Sequence, residues 1–524
     1  MQIDFSVVSE NLARTFGDAE CIVNVERNRR YGFREFHRLT NRIANMMISR
    51  LALGRGDTWL CILHNDSLSL LSQFTAFKGE ARACYTNATD TLEVQASQLD
   101  LVKPRVVFIE ADLLPTHHAL LRQRGITVVS MDPPPADFPD VLHFWSLLEG
   151  IGDENPNVAH DDRQDCLYLR FTGGTTGTPK AVMYSIGNWL ASMHFHIAGP
   201  DSIPVRGMRL LHFGMISHAS GMVVAPVLFK GGCNITMNDR SLKTWCLTVE
   251  REKVTASLMV PAMLYRLLDA PEARESDLSS LQTMYYGAST IIPARLRQLS
   301  ERFGNIFVQL YGSSEHPAAV TMMGKADHLP GPDGDESHLA SAGRVVPGVE
   351  VLIVDRAGRP VPDGQDGEIW MRSHAICLGY LHAADKTAAE FHDGYWKSGD
   401  FGRIDANGFL YVLDRVKDTV ICNQKNVYPS VVEAAICAHP KVTMAVVVGI
   451  DDPGGGGEYV HAEIVLREGQ SVGIEELQAF IAERVPAGCL PRTIDFAASL
   501  PMSAVGKVLR RTVRDACRQK FGSK

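Results

Sequence analysis

Up to about position 400, apolar patterns with helical spacing alternate with short β-rich runs, and that alternation confines the chain to stacked α/β layers. Residues 36–51 and 189–197 carry the helical spacing, whereas Val106, Val107, Phe108 and Ile109 form an apolar run of strand length. Between 330 and 367 the texture shifts to glycine, proline and acidic residues around short runs such as 349–354, which predicts a β-rich subdomain. A last unit begins near Asp414. Its pattern predicts a helix over 428–439, a strand over 444–450, a loop over 451–457, a strand over 459–466 and a helix over 473–485. The expected division is therefore a large α/β part, 1–413, and a small α+β part, 414–524. At 524 residues the chain exceeds what one hydrophobic core usually supports, which also asks for at least two packed units.

Composition narrows the function classes. Hydrophobic residues at 45% and charged residues at 21% are ordinary globular values and exclude disordered or fibrous chains. The net charge of −8 offers no basic footprint for nucleic acid, while leaving room for a local basic groove around an anionic cofactor. Eleven cysteines, an odd set without a C-x-x-C pair, suit reduced thiols in a cytosol and suggest no zinc site. No apolar stretch approaches the roughly eighteen residues of a membrane span, and residues 1–10 lack a basic region followed by an apolar one. A cytoplasmic protein without integral membrane association is expected. The apolar run 221–229 is too short to span and reads as a buried helix or strand. Gly454, Gly455, Gly456 and Gly457 lie between two strand signals and read as a surface turn rather than a phosphate cradle.

The segment richest in chemistry begins with a strand-like run, 165–171. It continues as Thr172-Gly173-Gly174-Thr175-Thr176-Gly177-Thr178-Pro179-Lys180. Glycines allow several backbone N–H groups to converge on one anion, threonine hydroxyls add donors, and lysine adds a mobile positive charge. These are the needs of a triphosphate. Thr178 and Pro179 separate Gly177 from Lys180, so the Walker A spacing fails and another kind of nucleotide loop is implied.

The loop resembles the signature of the adenylate-forming (AMP-binding) superfamily, which includes acyl-CoA synthetases, luciferases and the adenylation domains of peptide synthetases. Gly173 replaces the usual serine and removes one hydroxyl donor. Further motifs follow in the superfamily's order. Tyr286-Gly287-Ala288-Ser289 resembles the turn lining the adenine, and Tyr311-Gly312-Ser313-Ser314-Glu315 resembles Y-G-x-T-E. There the tyrosine stacks on adenine and Glu315 would help hold Mg²⁺ against the phosphates. Trp396-Lys397-Ser398-Gly399-Asp400 resembles the motif whose aspartate accepts hydrogen bonds from the ribose hydroxyls. Arg415 would be a second ribose or phosphate contact, and Lys417 the interdomain hinge. Pro501-Met502-Ser503-Ala504-Val505-Gly506-Lys507 resembles the C-terminal P-x-x-x-x-G-K motif. Its Lys507 would reach the α-phosphate and the attacking carboxylate, neutralising charge in the transition state.

The resemblance implies an adenylate-forming fold with a mobile C-terminal domain and an AMP-forming acid–thiol ligase. Thr175, Glu315 and Lys507 are the expected catalytic residues. ATP, Mg²⁺, coenzyme A and a small carboxylic acid are the expected cofactors and partners, and a homodimer is compatible with it. His218, in the segment 211–221, matches the histidine of acyl- and aryl-CoA ligases and, with Met222 and Gly287, is assigned to the acyl pocket; alone it would read as a core histidine. No aspartate stands nearby to bind an amine, and the apolar neighbours favour a fatty or aromatic acid. Gln424, where relatives commonly have glycine, and Lys425 are placed at the pantetheine tunnel. Two alternatives share the first half-reaction or the fold: loading of a separate carrier protein (or oxidation of the adenylate, as in luciferases), and a non-catalytic acyl or nucleotide binder.

Overall fold

The computed structural model describes residues 1–172, 179–199, 201, 205–331, 334–422, 425–452, 457–502 and 508–521, with the backbone alone at Lys425 and Ala487. Two large sheets dominate the first 345 residues, and a later two-residue strand, Gly379–Tyr380, joins one of them. One has eight strands, ordered Gly379–Tyr380, Lys180–Ser185, Cys166–Thr172, Arg82–Asn87, Thr58–Leu63, Val106–Ile109, Thr127–Ser130 and Leu142–His143. The other has nine, running from Arg344–Val345 through Thr321–Met323, Phe307–Tyr311, Thr283–Gly287, Ala256–Met259, Arg209–His212, Cys233–Thr236 and Glu20–Asn24 to Arg29–Gly32.

Both sheets are parallel at the centre; the nine-stranded one is antiparallel at both edges, and the eight-stranded one only at the Gly379–Tyr380 and Lys180–Ser185 edge, since Leu142–His143 pairs parallel at the other. Strands such as Thr58–Leu63 and Val106–Ile109 are buried throughout, as a parallel strand covered on both faces must be. The helices that cover them show why the apolar spacing was readable. Phe33–Ser49 turns Phe36, Ile43, Met46 and Met47 inward, and Ile186–Ala198 is capped by Ser185, whose hydroxyl accepts from Asn188 N at 3.1 Å. Between the layers Phe5, Phe74, Phe77 and Trp189 meet edge to face, with centroids 4.8 to 6.1 Å apart. The apolar run 221–229 is a 3₁₀ turn, Ala219–Val223, leading into the buried helix Val224–Phe229.

The β-rich subdomain is a five-stranded antiparallel sheet of Glu350–Val354, Gly367–Arg372, Tyr395–Ile404, Phe391–His392 and Leu410–Arg415. Beyond it, Val442–Asp451, Glu458–Leu466 and Thr493–Phe496 form a three-stranded sheet packed by the helices Pro429–Cys437, Ile474–Ala482 and Arg510–Phe521. It has its own apolar clusters, one around Val432, Ile436, Leu477 and Ile481 and another around Val448, Leu500 and Val513. None of the eleven cysteines is in a disulfide. No described helix is long and apolar enough to cross a membrane.

Candidate active site

In open α/β sheets, ligands sit beyond the carboxyl ends of the parallel strands, and three of the described motif residues end such strands. Thr172 ends one strand, Gly287 a second and Tyr311 a third, and Gly287 pairs with Leu310 in parallel register. The turn after Gly287 is sterically specified. A Cβ on Gly287 would lie 2.1 Å from the Leu310 carbonyl oxygen, and Ala288 holds φ +66, the left-handed region. Ala288 and Ser289 are exposed. Gly312 is similarly confined, since a Cβ there would lie 2.3 Å from the Ala318 carbonyl oxygen. Ser313 Oγ accepts from His316 N at 3.0 Å, and the Ser314 carbonyl accepts from the Tyr184 hydroxyl.

Two clusters of charge result. In the first, Asp400 and Arg415 face each other across antiparallel strands, with Arg415 Nε 2.7 Å from Asp400 Oδ1. The Tyr311 hydroxyl donates to Asp400 Oδ2 at 2.6 Å, and the Asp400 N–H donates to Ser398 Oγ at 2.9 Å. Both oxygens of the buried Asp400 carboxylate are therefore fixed by protein donors, each retaining a lone pair for another partner. Burial pushes the Tyr311 phenol well up, and the Asp400 charge adds to it, so the phenol stays a donor. Burial draws the Arg415 guanidinium down, but Asp400 and Tyr311 more than restore it.

The second cluster lies around Lys180. Thr172 pairs with Lys180 as the strands on either side of the loop close into a hairpin. The neighbouring strand Gly379–Tyr380 brings Tyr380 opposite Val182, diagonal to Lys180, and Lys180 Nζ lies 4.7 Å from the Tyr380 ring centre. Lys180 Nζ also pairs with Glu390 Oε1 at 2.9 Å. The Tyr380 hydroxyl reaches Glu315 Oε1 at 3.0 Å and Glu390 Oε2 on its other side. Burial raises the Glu315 carboxyl above the usual range, partly offset by Tyr380 and Lys180. For Glu390 burial pulls upward too, yet the Tyr380 hydroxyl and Lys180 outweigh it and leave the carboxyl lowered. The difference follows depth, since the Glu315 residue is 8% exposed and the Glu390 side chain 29%.

His218 and Met222, both half-buried, follow the strand Arg209–His212 on the same side of the nine-stranded sheet. Their backbone is tightly folded, because a Cβ on Gly221 would lie 1.9 Å from the Ile216 carbonyl oxygen. His218 Nδ1 is 3.1 Å from Ser217 Oγ. The buried histidine of the segment is instead His212, held between Ser220 Oγ at 2.7 Å and Asn234 Oδ1 at 2.8 Å. Lys417 lies two residues past Arg415, and partial desolvation, with Arg415, Arg514 and Lys180, brings its amine below the usual value against the pull of Asp418. The backbone of Lys425 lies in the hairpin of Val420–Cys422 and Lys425–Val427. Gly173, Gly174, Thr175, Thr176, Gly177, Gln424 and Lys507 lie outside the described residues, as do Gly454, Gly455 and Gly456.

The motifs did not point to Tyr380 or Glu390. Their relation to Lys180 comes from sheet pairing between segments some two hundred residues apart, and no local spacing announces it.

Comparison with known proteins agrees with this geometry. The AMP-binding enzyme family matches residues 9–381, and the AMP-binding enzyme C-terminal domain matches residues 431–507. The chain is 35% identical over 424 residues to the medium/long-chain-fatty-acid–CoA ligase FadD8 of Mycobacterium tuberculosis, covering 79% of this chain and 72% of that protein. It is 33% identical to the fatty acid–[acyl-carrier-protein] ligase ScoC of Streptomyces coeruleorubidus, covering 78% and 77%. The crystal structure of the anthranilate CoA ligase AuaEII in complex with anthranoyl-AMP superposes with TM-score 0.88 at 21% identity, over 99% of this chain and 98% of that one. With two family matches spanning both parts of the chain, an α/β fold of this kind and the motif residues gathered at the strand ends, the chain belongs to the AMP-binding enzyme family, in its acyl-CoA ligase branch.

Proposed function

We propose that the described clusters are the ribose and phosphate ends of an ATP site that activates a fatty acid and passes it to the thiol of coenzyme A. The observation that carries this reading is Asp400, oriented by Tyr311 and Arg415 at the carboxyl ends of the strands. A vicinal diol needs an ionised acceptor held in one orientation, and this cluster offers that. At the other end Lys180 supplies positive charge and Glu315 a hard oxygen ligand, a donor set that suits Mg²⁺ bound jointly by protein carboxylate and phosphate. Bound there, the ion would supply neutralisation of phosphate charge.

In this reading the acid's carboxylate attacks the α-phosphorus of ATP, forming acyl-AMP and expelling pyrophosphate. A carboxylate needs no general base, so catalysis is positioning and charge stabilisation, roles assigned to Thr175 and Lys507. The thiol then attacks the mixed anhydride and AMP leaves. The chain divides near Asp414. Support comes from the strand Leu410–Arg415, which belongs to the five-stranded sheet, while the residues after it build a separate sheet with its own apolar clusters. The small part turns about Lys417 between the half-reactions, and Gln424 and Lys425 border the pantetheine path.

We read the acid as fatty rather than aromatic because FadD8 and ScoC are both named for fatty acids. The protein is read as cytoplasmic. A carrier protein is the second acceptor to consider, on the strength of ScoC. The test incubates the protein with ATP, Mg²⁺ and a panel of fatty and aromatic acids, supplying coenzyme A or a holo-carrier protein, and scores products by mass spectrometry. Acyl-CoA from medium or long chains is expected. Aromatic thioesters only, or acyl-carrier only, would displace the reading, and no acid-dependent pyrophosphate at all would point to a binder.

A further inference from the structure

Lys180 is the one described cation of the phosphate loop, and it is engaged already. Glu390 Oε1 holds its ammonium at 2.9 Å, the Tyr380 ring lies beneath it, and the Tyr380 hydroxyl fixes the other oxygen of the same carboxylate. Glu390 is the last residue of the helix Ala384–Glu390, an end where the backbone carbonyls disfavour an anion. Its negative charge is therefore placed against local preference. Lys386 is a more distant neighbour, with Nζ 3.9 Å from the same Oε1.

A carboxylate gripping the loop lysine acts on whatever anion also needs that lysine. It competes for the ammonium and repels the ligand through its own charge, and both effects have the same sign. Ligands differ in whether they reach this corner. Resting on the reading of Lys180 as a contact for the outer phosphates, ATP and pyrophosphate meet the pair, whereas AMP and an acyl-adenylate end at the α-phosphate.

We propose that Glu390 is a positioning residue that reclaims Lys180 as pyrophosphate departs, loosening the hold on pyrophosphate relative to the adenylate that must stay. Tyr380 is the hinge point of the exchange: its ring supports the ammonium and its hydroxyl keeps the Glu390 carboxylate aimed at it.

The test measures equilibrium binding of pyrophosphate, ATP and AMP by calorimetry, without acid and with EDTA present, on the full chain and its variants. Glu390→Gln keeps the shape and removes the charge. It should tighten pyrophosphate and ATP about five- to tenfold and leave AMP unchanged. Glu390→Asp retains the charge and should stay within about twofold of the parent, which separates charge from packing. In the Glu390→Gln, Lys180→Met double variant the gain should vanish. Unchanged or weaker pyrophosphate binding in Glu390→Gln, with Lys180→Met still weakening it, overturns the inference alone. Lys180→Met binding pyrophosphate as tightly as the parent overturns the phosphate-end reading as well. A gain shared equally by AMP would show a general field effect and also overturn the exchange.

Discussion

The two ends of the site treat charge in opposite ways. At Asp400 the acid is held by donors that a nucleotide has no reason to displace, since each carboxylate oxygen keeps room for a further hydrogen bond. At Lys180 the cation is held by an acid that an anionic ligand must displace. One end is ready to receive its partner; the other must give something up. A ligand that is to be retained through a reaction suits the first arrangement, and one that has to leave midway suits the second.

Several changes would break or sharpen this contrast. The largest effect belongs to Lys507→Ala, expected to lower the adenylation rate by about a thousandfold or more while acyl-CoA still forms from supplied acyl-AMP. Pyrophosphate exchange and thioester formation, assayed separately, decide it; equal loss of both would refute the assignment of Lys507 to the adenylation half alone. Next is Asp400→Asn, which keeps the size but loses the ionised acceptor and the partner of Arg415. A loss of about 30- to 100-fold in kcat/KM for ATP is expected. A defect as large for pyrophosphate binding would mean that the two ends are not separate.

Tyr311→Phe removes one hydrogen bond to a buried carboxylate and should cost about tenfold, chiefly as a raised KM for ATP. If Tyr311 mattered only as a ring against adenine, the phenylalanine variant would match the parent. The smallest effect is expected from Gly173→Ser, which restores a hydroxyl donor and should lower KM for ATP about two- to fivefold. No change there would place the missing hydroxyl away from the phosphates.

The ends also differ in what lies beneath them. His316 follows Glu315 directly and stacks on Phe195 with centroids 5.7 Å apart, and His196 is buried nearby. Burial lowers His196, His212 and His316 to about 4, as it does His37 with help from Lys78. Unfolded histidine titrates near 6.5. These neutral rings therefore stabilise the fold fully above pH 6.5, and the contribution is lost as pH falls toward 4, because the unfolded chain takes up protons that the folded one refuses. Melting temperature should drop steeply between pH 6.5 and 5. Replacing His196 by leucine should flatten that slope, and an unaltered slope would assign the acid loss to other groups.

Much of the candidate site was legible from the sequence, because glycine-bearing turns and their flanking charges are contiguous in the chain. Gly287 and Gly312 are dictated by carbonyls on adjacent segments, and Asp400 and Arg415 meet by simple strand pairing. The fold class was legible for the same reason: buried parallel strands are short apolar runs, and the helices between them keep their spacing. The partnership of Lys180 with Glu390, and the placing of Tyr380 between two acids, was not legible. It depends on an edge strand of two residues joining the eight-stranded sheet, too short to leave a pattern.

Arg415 and Asp400 are joined within one sheet, while Lys417 comes just after that sheet's last strand. With the pivot at Lys417, the grip on the sugar stays with the body that does not turn. Under the proposed function the adenylate would wait in place while its surroundings change from one chemistry to the next, so that a reactive anhydride need not be handed between two sites or released to water. Fidelity of the coupled reaction would then rest on where along one strand the turning begins.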